Sequence, residues 1–234
     1  MSRVALNRAL SKLGILSRSQ ATAAIRAGRV RVDGHVVDDP AHPVVPERAR
    51  ITVDGAARRR GRWRTILLHK PRGVVTTRRD PEGRRTIYDV LGDAAEGLIP
   101  VGRLDLATTG ALLLTSDTQL ANWIADPANA VPRIYAATVR GEVEPAQLAA
   151  LPATHVALRK ASGRESHLIV ELHEGRNRQV RRMLAAIGHE VTRLKRVSLG
   201  GLELGRLEPG EWREVSRDEL RAAFPGARIR SRLS

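Results

Sequence analysis

The sequence predicts an α+β protein in three parts: a small N-terminal unit of two helices and a β-hairpin, a basic linker, and a larger mixed domain on a mostly antiparallel sheet. Three observations carry this. Helical spacing in the first 26 residues gives way to short alternating runs around Asp33-Gly34, a strong hairpin signal. A basic stretch without apolar period then interrupts the chain. From Ile66 onward, short apolar runs of strand type are interleaved with helical patterns without strict alternation. The expected boundaries are 1–53 for the first unit, 54–65 for the linker and 66–234 for the large domain.

Leu6, Leu10 and Leu13 lie on one helical face, and Gly14 is placed to end that helix. Ser17-Arg18-Ser19-Gln20 reads as a capping box that starts a second helix, running through Ile25 and stopping at Gly28. Val30-Arg31-Val32 and His35-Val36-Val37 form the hairpin arms, and Ile51-Thr52-Val53 adds a further strand. The linker holds Arg58, Arg59, Arg60, Arg62 and Arg64 and fits either a solvated tether or a segment lying on a polyanion. In the large domain, Ile66–Leu68, Val74-Val75, Ala111–Leu114, Tyr135–Val139 and Leu168–Leu172 read as strands. Helices are expected near 118–125, 145–151 and 177–187, and the Gly-rich stretch from Leu199 to Val215 suggests closing strands.

The charge balance narrows the partner. The 234 residues carry 40 Lys+Arg against 25 Asp+Glu, a formal charge of +15. Such an excess is costly for a compact chain unless a polyanion binds it, and the phosphate backbone of a nucleic acid is the first candidate. Residues 1–32 hold no acid at all and seven bases: Arg3, Arg8, Lys12, Arg18, Arg26, Arg29 and Arg31. The absence of Cys excludes disulfides and thiolate metal sites, and the histidines show no ligand spacing, so no metal is expected. No apolar run approaches a membrane span and the N-terminus has no signal-type segment, so the expected location is the cytoplasm.

Several motifs then occur in order: His69-Lys70-Pro71-Arg72-Gly73, Pro100-Val101-Gly102-Arg103-Leu104-Asp105, Thr109 to Thr115, Glu174 to Met183, and Pro209-Gly210-Glu211-Trp212. With them, residues 66–215 resemble the RsuA/RluB-type pseudouridine synthases that modify ribosomal RNA. Residues 3–53 resemble the RNA-binding module named after small-subunit ribosomal protein four. Gly-Arg-Leu-Asp alone is a weak signal; followed by Glu-Gly-Arg-Asn-Arg-Gln-Val-Arg-Arg-Met it is a strong one. Ala107-Thr108 departs slightly from the family pattern and leaves the motif positions untouched.

The resemblance implies an isomerase that breaks a uridine C–N glycosidic bond and rejoins the ring through carbon. Atoms are conserved, so no redox cofactor, metal or nucleotide is expected. The reaction needs a carboxylate near the ribose, as nucleophile or as base; the resemblance makes it Asp105. It also implies that Arg181 pairs with Asp105 and that Tyr135 stacks on an extruded base.

Helical geometry is compatible with the Arg181 role. Val180, Met183, Leu184 and Ile187 form a buried stripe, Arg181 borders it, and Arg178 and Arg182 point away. Arg103, Arg176, Arg178 and Arg182 are expected phosphate contacts, although Arg103 could instead brace its loop. Lys70-Pro71-Arg72-Gly73 reads as a turn that packs beneath the cleft. The expected partner is ribosomal RNA, most readily 23S, or a ribosomal subunit precursor, bound by a monomer. Modification of 16S rRNA and a ribosome-assembly factor without catalysis are the alternatives. A nuclease or glycosidase with paired carboxylates finds no support, since Asp93 and Asp117, the acids nearest Asp105, have no motif context.

Overall fold

A computed structural model describes residues 3–13, 15–16, 18–46, 48–56, 63–149 and 151–229. The Gly14 helix stop, the Ser17 cap, the side chain of Lys12 and the linker arginines 58–60 and 62 lie outside the described residues. The chain divides into two compact units, one of residues 1–64 with 115–119 and one of the remainder. No helix among the described residues is long and apolar enough to cross a membrane.

The first unit follows its apolar pattern. β1 (Val4–Ala5) leads into α1 (Leu6–Lys12) and α2 (Arg18–Arg26), followed by β2 (Val30–Val32), β3 (His35–Val36), β4 (Pro43–Val44) and β5 (Ile51–Val53). Leu6, Leu10, Ala21 and Ile25 are buried against Val30, Ile51 and Val53, so the helices cover one face of the sheet β3-β2-β5. Asp33 and Gly34 both have positive φ (51° and 90°), the backbone that a two-residue hairpin of right-handed twist demands. Arg3, Arg8, Arg18, Arg26, Arg29 and Arg31 are all exposed.

The second unit is built on β6 (Thr65–Lys70), α3 (Ile87–Leu91), β7 (Ile99–Pro100), β8 (Thr109–Thr115), α4 (Thr118–Ala125), β9 (Arg133–Arg140), α5 (Pro145–Leu148), β10 (His155–Ala161), β11 (Glu165–Leu172), α6 (Gln179–Ala186), β12 (Val191–Leu199), β13 (Leu202–Glu203), β14 (Trp212–Glu214) and α7 (Arg217–Ala223). Its sheet has the order β10-β11-β9-β12-β8-β6-β14, with β13 on β12 and β7 on β8. The pairs β10–β11, β11–β9, β9–β12, β12–β13 and β14–β6 are antiparallel. The β12–β8 pair is parallel and short: Lys195 faces Thr109 and Arg196 faces Gly110.

Several local expectations shift. Val74-Val75 is no strand: Val75 makes only an isolated bridge to Thr86. The helix expected over 145–151 is α5, a single turn started by Pro145. The helix expected over 177–187 starts two residues later, because Arg178 takes a left-handed conformation (φ 49°) and caps α6. From there Val180, Met183 and Leu184 are buried as the stripe requires, with Ile187 packed beside them.

Candidate active site

Asp105 lies on the loop between β7 and β8, and backbone bonds hold that loop on several sides. Thr76 Oγ1 donates to Leu104 O (2.9 Å) and accepts from Leu104 N (3.3 Å). Gly73 N donates to Leu106 O (2.9 Å), Thr108 N donates to Asp105 O (3.0 Å), and the Leu104 side chain is buried. The loop is thereby fixed one residue either side of the aspartate, whose own side chain stays 30% exposed.

Beneath it sits Lys70, the last residue of β6 and 0% exposed. Its Nζ donates to Pro71 O and to Thr108 O, each at 2.9 Å. Burial pushes this amine down to about 8, and the negative charge of Asp105 opposes the shift. The turn Lys70–Gly73, expected to pack under the cleft, thus also brings a buried cation to the floor of the Asp105 loop.

A cleft of about 630 Å³ opens here, lined among others by Asp105, Thr108, Tyr135, Arg176, Arg178 and Arg196. Tyr135 is half-buried on β9, directly opposite Arg196 of β12 in the antiparallel ladder. It packs against the apolar clusters on both sides of the cleft. The carboxylate and the aromatic ring therefore share one cavity, the first from a loop and the second from a strand.

The expected ion pair is made by a different arginine. Arg178 Nη1 lies 3.9 Å from Asp105 Oδ2, whereas Arg181 donates to Val191 O (2.7 Å) and Ala107 O (3.3 Å). The reason is the start of α6: Arg178 precedes the helix in a left-handed turn, so a helical wheel does not describe its direction. Arg181 still senses the site. Burial pushes its guanidinium down, Arg178 adds to this, and Asp105 opposes it. Through Ala107 O it braces the chain two residues past the aspartate.

Among the other expected contacts, Arg103, Arg176 and Arg178 are exposed and line the cleft, while Arg182 is exposed on α6. Arg176 is paired with Glu174 at 2.9 Å. Arg29 in the first unit is held by Asp54 through two bonds of 2.6 Å, so its charge is already compensated. Among the described residues no cluster of His, Asp and Glu could hold a metal ion. Sequence reasoning missed Arg133 and Arg196, both buried in the cleft wall. Nothing in the local sequence marks Arg196, because β12 reads as a polar segment, and Arg133 reads only as a base at the start of β9.

Residues 64–186 match the RNA pseudouridylate synthase family model, and residues 6–48 match the S4 domain. A protein of Aquifex aeolicus named as an uncharacterized RNA pseudouridine synthase is 39% identical, over 96% of this chain and 95% of its own length. Ribosomal large subunit pseudouridine synthase B of Bacillus subtilis is 35% identical, over 92% and 93%. A crystal structure of a pseudouridylate synthase is 31% identical with a TM-score of 0.63, covering 93% of this chain and 98% of that one. The chain belongs to the RNA pseudouridine synthase family. It is an isomerase acting on RNA, with an N-terminal S4 domain.

Proposed function

We propose that the chain isomerises one uridine of 23S ribosomal RNA, with Asp105 as the carboxylate that acts at the ribose and Tyr135 as the plate beneath the extruded base. The observation that carries this reading is the shared cavity: Asp105 and Tyr135 line one cleft whose rim carries Arg103, Arg176 and Arg178. Phosphates drawn to those guanidiniums leave the nucleotide between them to enter the cleft. Arg178 provides the charge partner of Asp105, and Arg181 positions the loop through Ala107 O. The relative in Bacillus subtilis is named for the large ribosomal subunit, which supports 23S over 16S rRNA.

Within this reading the exposed arginines Arg3, Arg8, Arg18, Arg26 and Arg31 of the first unit bind backbone phosphates. The active form is a monomer that works in the cytoplasm without cofactor, on ribosomal RNA or a subunit precursor. The test is a map of pseudouridines in ribosomal RNA from cells with the gene, without it, and with Asp105→Asn in its place. One large-subunit uridine is expected to stay unmodified in the last two. A map unchanged by Asp105→Asn refutes the role of the carboxylate, and a missing 16S site moves the substrate to the small subunit.

A further inference from the structure

Two residues that line the cleft each carry a buried polar atom with no hydrogen-bond partner among the described residues: Arg196 Nη2 and Thr108 Oγ1. Arg196 is 3% exposed and Thr108 2%. Both line the same cleft as Asp105 and Tyr135. Arg196 uses only Nε for the fold, donating to Ala111 O at 2.7 Å. Its neighbour Arg133, also in the cleft wall, is by contrast engaged at both terminal nitrogens: Nη1 donates to Val131 O and His173 O, and Nη2 to Ile124 O. The two arginines repel one another, and burial together with this repulsion pushes Arg133 down. Neither makes an ion pair among the described residues. Two buried cations without an ion-pair partner are costly in the resting protein and become favourable when negative charge arises beside them.

The reaction generates such a charge. When the C1′–N1 bond breaks heterolytically, the electron pair stays on the ring nitrogen and spreads onto both carbonyl oxygens of the uracil. This holds whether the Asp105 carboxylate takes C1′ as a nucleophile or a ribose proton is removed. The ring then turns and C5 bonds to C1′, as the Asp105–C1′ ester bond breaks on the first course or as the removed proton returns to the ribose on the second; the C5 proton leaves and N1 gains a proton. Resting on the function proposed above, we infer that Arg196 Nη2 and the Thr108 hydroxyl form an anion hole for the departing uracilate, donating to its carbonyl oxygens. The exposed arginines at the rim suit phosphates, which keep part of their water. The closed-off position of Arg196, opposite Tyr135 in the ladder, suits a desolvated ring oxygen. Arg196 is accordingly a catalytic residue and the source of selectivity for the anionic form of the ring.

The probes are uracil, which is neutral at pH 7.5, 5-nitrouracil, which is anionic there, and ribose 5-phosphate. Each is titrated calorimetrically into the full-length protein and into Arg196→Lys and Thr108→Val. The wild type is expected to bind 5-nitrouracil at least about tenfold more tightly than uracil. Arg196→Lys, which keeps the charge and loses the fork, should erase most of that preference. Thr108→Val should reduce it severalfold with no loss of melting temperature, because the hydroxyl removed has no partner in the fold. It also keeps the test decisive should Arg196→Lys not fold. Binding of ribose 5-phosphate should stay unchanged in both variants. A wild type that does not prefer the anion, variants that keep the preference, or variants that lose ribose 5-phosphate instead each overturn the inference. A wild type that modifies its mapped uridine yet shows no such preference sinks this inference alone and leaves the proposed function standing.

Discussion

Gly110 is the position where one methyl group should do most damage. It lies in the parallel pair of β8 with β12, facing Arg196. A Cβ built there would meet Arg196 O at 2.1 Å, Arg196 N at 2.6 Å and Arg196 C at 2.8 Å, all backbone atoms that cannot rotate aside. The residue also has φ +108°, a conformation that side chains strongly disfavour. Backbone strain of about 1–3 kcal/mol adds to an overpacking cost of about 1–3 kcal/mol, so Gly110→Ala should lose roughly 4 kcal/mol. For a chain of this length that is a fall in Tm of roughly 10 °C, read by far-UV circular dichroism. Gly97→Ala is the control. Its φ is +71° with nothing within 4 Å of the added atom, so it carries the strain without the collision. Gly110→Ala melting within about 2 °C of wild type, or no lower than Gly97→Ala, would refute the account of this seam.

Three further outcomes follow from the site. The Lys70 amine is pushed down to about 8 in the fold against 10.5 in an ordinary lysine, so the unfolded chain binds more protons between those pH values and stability rises with pH across that window. The gain is about 3 kcal/mol at most; urea unfolding of wild type and Lys70→Met at pH 7.5 and 10 should show the rise only in the wild type, and equal slopes would contradict it. Arg178→Gln should lower kcat for RNA modification by about tenfold or more with the fold intact, while Arg181→Gln should lower Tm as well because two backbone carbonyls lose their donor; equal melting of the two variants would reverse these assignments. Replacing Arg8, Arg26 and Arg31 by Gln should weaken RNA binding and make log Kd against log salt shallower by about one unit for each phosphate no longer neutralised, and an unchanged slope would remove those residues from the interface.

The parts of this molecule that could be read from sequence are those decided locally. Asp33-Gly34 needs no tertiary context to turn a hairpin, and the stripe of Val180, Met183 and Leu184 fixes the buried face of α6 by spacing alone. What could not be read depends on neighbours distant in the chain. Arg178 looks like a helical residue until its left-handed backbone places it ahead of α6 and beside Asp105. β12 runs Val-Thr-Arg-Leu-Lys-Arg-Val-Ser-Leu and resembles an exposed polar stretch, yet it is an interior strand paired on both sides. Lys70 would be placed at the surface by composition rules, but the β6 residues around it are buried on both faces and carry it inward. The ordered motifs point to Asp105; the groups that surround it come from segments that only the fold assembles.

The narrow join between β8 and β12 gives the sheet a line of weakness. On one side stand β10, β11, β9 and β12 with Tyr135; on the other, β8, β6 and β14, with the Asp105 loop leading into β8. The strands β8 and β12 are joined there by two residue pairs, the Arg196–Ala111 bond and a bond from Thr109 Oγ1 to Leu194 O (3.4 Å). The gap between the Asp105 carboxylate and the Tyr135 ring is therefore not a property of either half but of this stitching. A change there resets the spacing between Asp105 and Tyr135, on which the roles proposed for both depend.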